Sequence, residues 1–195
     1  SIFSELFVKL YKKKFFYKFK KPIILIGSEK LIYEQAKKFK INLNLNSIHK
    51  QEFSLKKKLK KINIINVNFK FKNKFGKISN KSKKYIENCF DIALNIMKKG
   101  YGSALINGPI SKKVFLNKKY PGVTEYISNK TKTGGKEVML IYNENLSVSP
   151  ATTHISLNKV SKNLNSKKII NQIKTINIFY KKYLKFKPKI AICGI

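Results

Sequence analysis

Hydrophobic positions recur along this chain with two different spacings. In residues 1–14 and 29–39 the apolar side chains return every three or four positions, which predicts two amphipathic helices. Pro22–Gly27 is a continuous apolar run, as in a buried parallel strand, and Ile62–Val67 is the best candidate for a second strand. Ser28 stands between the first strand and the helix that follows it, and is predicted to cap that helix.

The middle of the chain has the order helix, strand, loop. A helix is predicted to open at Ser79 or Ser82 and to run through Lys99, followed by a strand at Ala104–Ile106 and a loop at Asn107–Lys112. This order is typical of a parallel α/β unit. A loop with Gly, Ser and Lys at the end of a strand can hold an anion, although Gly-Pro also simply makes a turn.

The last third of the chain predicts a hairpin-like pair, a long helix and a final strand. The pair comprises Val138–Tyr142 and Leu146–Ser149, the helix covers Ser166–Leu184, and the strand covers Lys189–Ile195. The helix is expected to bury one apolar side, which consists of Ile169, Ile170, Ile173, Ile176 and Phe179.

One of the two histidines follows a predicted strand closely. Pro150 ends that strand, and Thr152, Thr153 and His154 come after it. Ligands of open α/β sheets bind beyond the carboxyl ends of the strands, and a neutral imidazole is a common metal ligand. From the residues alone, His154 is either such a ligand or a hydrogen-bonded turn histidine, and His49 is predicted to be a surface residue.

The charge of the chain is extreme but evenly distributed. The formal net charge is +34, and all 43 basic residues are lysine. Proteins that bind nucleic acid favour Arg for its bidentate hydrogen bonding, and none is present. Since Lys, Asn and Ile all have A/T-rich codons, we attribute the charge to genome composition acting on solvated faces. Non-specific attraction of polyanions stays open as an alternative.

Composition also restricts the class of protein. No apolar run approaches the roughly 18 residues that a membrane helix needs, and the first residues lack the pattern of a signal peptide. We therefore expect a cytoplasmic protein with no membrane partner. Cys89 and Cys193 are too few for a disulfide framework or a zinc knuckle, and are predicted to be small buried hydrophobic residues.

Three stretches together resemble the 4-hydroxythreonine-4-phosphate dehydrogenase family of vitamin B6 biosynthesis. They are INGPISK at Ile106–Lys112, YPGVTEYI at Tyr120–Ile127 and ATTHISL at Ala151–Leu157. PKIAICGI at Pro188–Ile195 is similar to the strand that leads into the family's Asn-Pro-His-Ala-Gly segment, and SIFSE at Ser1–Glu5 is similar to the end of its N-terminal turn. Family members are considerably longer, so the chain is expected to be a fragment.

The resemblance implies roles for four residues. His154 matches the first of three histidines that bind a divalent metal, and Thr124 matches a substrate-binding threonine. Lys112 lies at the family's loop lysine and is inferred to act in the active site. Val123 is a departure, because the family usually has a substrate-contacting His there, and valine offers no donor or acceptor.

The resemblance also implies a fold and a reaction. The fold would be a two-lobed α/β/α architecture similar to isocitrate and isopropylmalate dehydrogenases, with residues 1–120 in the first lobe and 121–195 in the second, both incomplete.

The family oxidises 4-phosphooxy-L-threonine with NAD or NADP and a divalent metal (Zn, Mg or Co), in a homodimer with a shared site. No cofactor-binding residue is assigned in this chain. With one metal histidine of three, the chain alone is expected to be inactive. The alternatives are a sister dehydrogenase of another phosphorylated hydroxy acid and, from different classes, a lysine-rich nucleic-acid-associated protein or a non-catalytic fragment.

Overall fold

The computed structural model describes residues 2–49, 59–76, 78–117, 119–134 and 136–194. The chain divides into two compact units, Ser1–Lys119 and Tyr120–Ile195. The elements of the first unit are helices α1 (Ile2–Lys12), α2 (Glu29–Lys38), α3 (Lys81–Lys98) and α4 (Lys112–Phe115), a 3-10 turn (Phe15–Lys18), and strands β1 (Ile23–Gly27), β2 (Asn46–Ser47) and β3 (Ile62–Asn66).

The first unit is built on a parallel three-stranded sheet in the order β1-β3-β2. Ile23 of β1 pairs with Ile62 of β3, and the register continues to Gly27 and Asn66. The two faces of central strand β3 have separate apolar clusters. Ile62 and Ile64 pack with residues of α1 and α2, while Ile65 packs with Ile92 and Ile96 of α3.

This arrangement confirms the predicted α/β fold class. Helices cover both faces of a parallel sheet, which is why β1 is a continuous apolar run and the first four residues of β3 are buried, including the polar Asn63. The side chain of Ser28 caps α2 as predicted, because its Oγ accepts a hydrogen bond from the N–H of Leu31 at 3.3 Å. The expected helices and strands of residues 1–39, and the strand at Ile62, are all present.

Two predicted strands do not form. Ala104–Ile106 and the described part of Lys189–Ile195 have no regular structure, and Ile106 and Ile192 are 81% and 68% exposed. An apolar run becomes a strand only when a neighbouring strand takes up its backbone hydrogen bonds. The sheet of the described residues consists of β1, β3 and β2, and neither run is paired in it.

Two smaller expectations, the start of α3 and the burial of the two cysteines, were wrong. Helix α3 begins at Lys81 after an Asn80 cap, rather than after Ser79 or Ser82. Cys193 is exposed and Cys89 is half-buried, so neither is a fully buried hydrophobic residue. His49 is exposed, as predicted.

The second unit consists mainly of helices and turns. Its elements are α5 (Val123–Thr131), a 3-10 turn (Leu157–Lys159), α6 (Val160–Asn163), α7 (Ser166–Phe179) and a π-helical turn (Tyr180–Leu184). The predicted hairpin is reduced to one antiparallel bridge between Ile141 and Val148. The long helix is present, but Ile170 and Phe179 on its predicted buried side are exposed and only Ile176 is buried. No helix of the described residues is long and apolar enough to cross a membrane.

Candidate functional site

The first turn of α5 carries two of the residues selected from the sequence. Gly122 precedes the helix with an extended backbone, and Val123 and Thr124 begin it. Thr124 is exposed, so its hydroxyl is available to a ligand, whereas Val123 is half-buried. Glu125 follows in the same turn with one carboxylate oxygen buried.

His154 lies on a turn that helix α7 holds in place. Gln172 of α7 donates hydrogen bonds from its Nε2 to Ser149 Oγ at 2.6 Å and to the carbonyl oxygen of Pro150 at 3.1 Å. His154 itself has a φ of +58° and is exposed. Such a φ is uncommon for a residue other than Gly, and backbone strain of this kind clusters at functional sites. The ring is therefore held on the surface rather than packed in a core.

The turn before α5 and the His154 turn come together at Gly122. A β-carbon on Gly122 would lie 2.7 Å from Glu125 Oε2 and 3.8 Å from His154 Nε2. Since Gly122 is extended, its backbone could accept any residue, and it is the space between these side chains that favours glycine. The two motifs that carry Thr124 and His154 therefore meet in the fold, as the resemblance implies for one site.

A cavity of about 410 Å³ adjoins α5 within the second unit. Glu137 accepts a hydrogen bond from Ser128 Oγ at 2.7 Å, and the hydroxyl of Tyr120 donates to Asn129 Oδ1 at 2.9 Å. The wall of the cavity consists of Tyr120, Glu125, Ser128, Asn129, Lys132, Gly134 and Glu137. Glu125 therefore borders both this cavity and the space beside Gly122.

Lys112 lies in the first unit, at the start of the short helix α4. Ser111 Oγ accepts a hydrogen bond from the N–H of Val114 at 3.4 Å and so caps that helix. Lys112 is exposed, which leaves its ammonium accessible to an anion. Gly108, earlier in the same loop, lies so close to Phe3 of α1 that a β-carbon there would overlap the ring. The loop is thus fixed against α1.

The donors beside Gly122 are of the kind that a divalent cation accepts. An exposed imidazole nitrogen and a buried carboxylate oxygen are both ordinary ligands of zinc and cobalt. Within the described residues there is no group of three His, Cys, Asp or Glu side chains that could hold a metal. His154 and Glu125 thus bring two donor atoms to this space, fewer than a group of three.

Sequence reasoning selected His154 and Thr124 but missed the residues around them. Gln172 lies on the predicted helix Ser166–Leu184 and Glu125 lies in the YPGVTEYI motif, but the sequence predicts no role for either residue. Their contacts join segments that are far apart in the chain, so no local pattern reveals them. The position of Glu125 directly after Thr124 was the one available signal.

A parallel sheet covered by helices on both faces, together with an exposed imidazole beside a glycine turn, places this chain among α/β proteins with a candidate ligand site. A family model described as pyridoxal phosphate biosynthetic protein PdxA matches residues 18–195. The chain belongs to this family.

Individual relatives agree with the family assignment. The 4-hydroxythreonine-4-phosphate dehydrogenase of Sulfurihydrogenibium sp. (strain YO3AOP1) is 31% identical over 176 residues, which are 88% of this chain and 53% of that protein. The D-threonate 4-phosphate dehydrogenase of Salmonella typhimurium is 26% identical over 122 residues, 62% of this chain and 37% of that protein. The chain spans about half the length of the first of these relatives.

A solved structure supports the fold. The crystal structure of the 4-hydroxythreonine-4-phosphate dehydrogenase from Klebsiella pneumoniae aligns with a TM-score of 0.64 and 22% identity. The alignment covers 83% of this chain and 50% of that one. The α/β fold of the chain is thus the fold of these dehydrogenases.

Proposed function

We propose that the protein to which this chain belongs is an oxidoreductase of pyridoxal phosphate synthesis. Its reaction would be the oxidation of 4-phosphooxy-L-threonine to 2-amino-3-oxo-4-phosphooxybutanoate, followed by decarboxylation. The observation that carries this proposal is the match of the family model across residues 18–195. The meeting of the His154 and Gly122 turns supports it, because the two motifs that would bind metal and substrate adjoin.

Three side chains of this chain would divide the work. His154 would bind the divalent cation (zinc, magnesium or cobalt) through its exposed ring, and Thr124 would donate a hydrogen bond to the substrate. Lys112 would pair with an anionic group of the substrate, for which an ammonium on a fixed loop is suited. When bound, the cation supplies a Lewis acid for the substrate oxygen, and NAD or NADP accepts the hydride. No residue here is assigned to the nicotinamide cofactor.

The proposal extends to the organisation of the whole protein. Residues 1–120 and 121–195 would contribute to two α/β lobes similar to those of isocitrate and isopropylmalate dehydrogenases. A homodimer would complete the site, and the enzyme would be cytoplasmic. Specific nucleic-acid binding is not part of the proposal, since the lysines are spread along the whole chain and none of the basic residues is Arg.

A sister activity on another phosphorylated hydroxy acid is the second candidate. Val123 favours it, because this residue cannot form the hydrogen bond that the usual histidine of the family makes with the substrate. The similarity to a relative named D-threonate 4-phosphate dehydrogenase provides a specific alternative substrate.

Steady-state kinetics with both substrates test the proposal. The assay uses the full-length protein that contains residues 1–195, together with NAD or NADP and a divalent metal. We expect kcat/KM for 4-phosphooxy-L-threonine to exceed that for D-threonate 4-phosphate by about tenfold or more. A higher kcat/KM for D-threonate 4-phosphate would favour the sister activity. If neither substrate supports reduction of the nicotinamide cofactor, the assignment is overturned.

A further inference from the structure

Glu125 has a carboxylate oxygen for which the described residues provide no hydrogen-bond donor. The side chain lies in the first turn of α5, and its Oε2 is buried. A polar oxygen that is buried in this way is normally matched by a hydrogen-bond donor or a cation. The oxygen therefore points to a partner that the described part of the chain does not supply.

The position of this oxygen indicates what the partner is. Glu125 Oε2 and His154 Nε2 lie 2.7 Å and 3.8 Å from the same point, the place of a β-carbon on Gly122. A carboxylate oxygen and an imidazole nitrogen that converge in this way present two typical metal donors to one space. Gly122 leaves that space open because it has no side chain.

The other acidic residue of the adjoining cavity differs in this respect. Glu137 also lines the cavity, but its carboxylate accepts a hydrogen bond from Ser128 Oγ. Residues 120–195 contain only three acidic side chains, which are Glu125, Glu137 and Glu144. Glu125 thus stands out among them by its buried oxygen and by its position next to His154.

We propose that Glu125 is a second cation-facing residue of this site and acts on the same divalent cation as His154, directly or through one water. This inference rests on the proposed function, which gives the cation to His154. Glu125 lies outside the ATTHISL motif that contains His154, so the inference adds a new residue to the site.

The chain's two histidines allow a direct test without any activity assay. In the full-length protein with isotopically labelled histidine, Mn²⁺ bound at the site will broaden the ring signals of His154, while those of exposed His49 serve as the internal reference. Titration of Mn²⁺ then gives an apparent affinity for the site. The test variant is Glu125→Gln. The matched control is Glu144→Gln, which removes one negative charge from an exposed turn.

We expect Glu125→Gln to weaken the apparent Mn²⁺ affinity at His154 by about tenfold, a typical effect of losing a carboxylate beside a metal ligand. Glu144→Gln should leave it within about twofold, since an exposed charge is screened by salt. Metal-free spectra that match the parent chain establish that each variant is folded. Equal broadening in both variants and the parent would overturn the role of Glu125 and leave the cation at His154 intact. Broadening of His154 no greater than that of His49 would overturn both.

Discussion

Asn63 offers the most direct test of how the sheet is held together. Its side chain is fully buried in the central strand β3, at 0% exposure. Its Oδ1 accepts hydrogen bonds from Asn46 Nδ2 at 2.8 Å and from the N–H of Lys60 at 2.9 Å. Its Nδ2 donates to the carbonyl oxygens of Ile23 at 3.1 Å and Lys60 at 2.6 Å. One amide therefore connects all three strands and the loop that leads into β3.

Replacing Asn63 with Ala would remove all four of these hydrogen bonds. Each contributes about 1 kcal/mol net, and part of the polar surface left behind stays buried without a partner. We therefore expect the free energy of unfolding to fall by about 3–5 kcal/mol, a large share of the roughly 5–15 kcal/mol available to a typical domain.

Urea denaturation followed by circular dichroism measures this change. Asn68→Ala is the matched control, because Asn68 is exposed and accepts a surface hydrogen bond from Asn66. We expect the control to change the free energy of unfolding by less than about 0.5 kcal/mol. A loss below about 1 kcal/mol for Asn63→Ala would show that the buried amide does not connect the strands as described.

Four further predictions concern single side chains. Val123→His should raise kcat/KM of the full-length protein about tenfold by restoring a hydrogen bond to the substrate, and an unchanged value would remove position 123 from substrate binding. Ser28→Ala should cost about 1 kcal/mol in urea denaturation, because α2 loses its cap, and no change would contradict that role. Burial raises the pKa of the Cys89 thiol to about 11, so iodoacetamide at about pH 8 should modify exposed Cys193 first, as mass spectrometry can show. The same raised pKa should lower stability as pH rises from about 9 to about 11, because the unfolded thiol ionises first.

The periodic parts of the fold were predictable because their information is local. Helices α1 and α2 follow from the three- or four-residue spacing of apolar side chains, and strand β1 follows from a continuous apolar run. Ser28 is predicted to be a cap because it has a hydroxyl group and lies between a strand and a helix. The prediction of a strand at Ala104–Ile106 was wrong because strand formation depends on non-local information. An apolar run does not reveal whether another strand lies beside it, and the described sheet places none there.

The candidate site was predictable only in part for the same physical reason. His154 and Thr124 could be selected by resemblance, but their neighbourhood depends on contacts between distant segments. Gln172 positions the His154 turn from α7, and Gly122 lies between Glu125 and His154. Neither contact leaves a periodic or compositional trace in the sequence.

The most direct test of the central claim is metal-dependent nicotinamide reduction by the full-length protein with His154 replaced. With 4-phosphooxy-L-threonine as substrate, we predict that chelation of the metal or His154→Ala abolishes the reaction, while His49→Ala leaves it unchanged. Full activity in the His154→Ala variant would contradict the assignment of this ring to the cation.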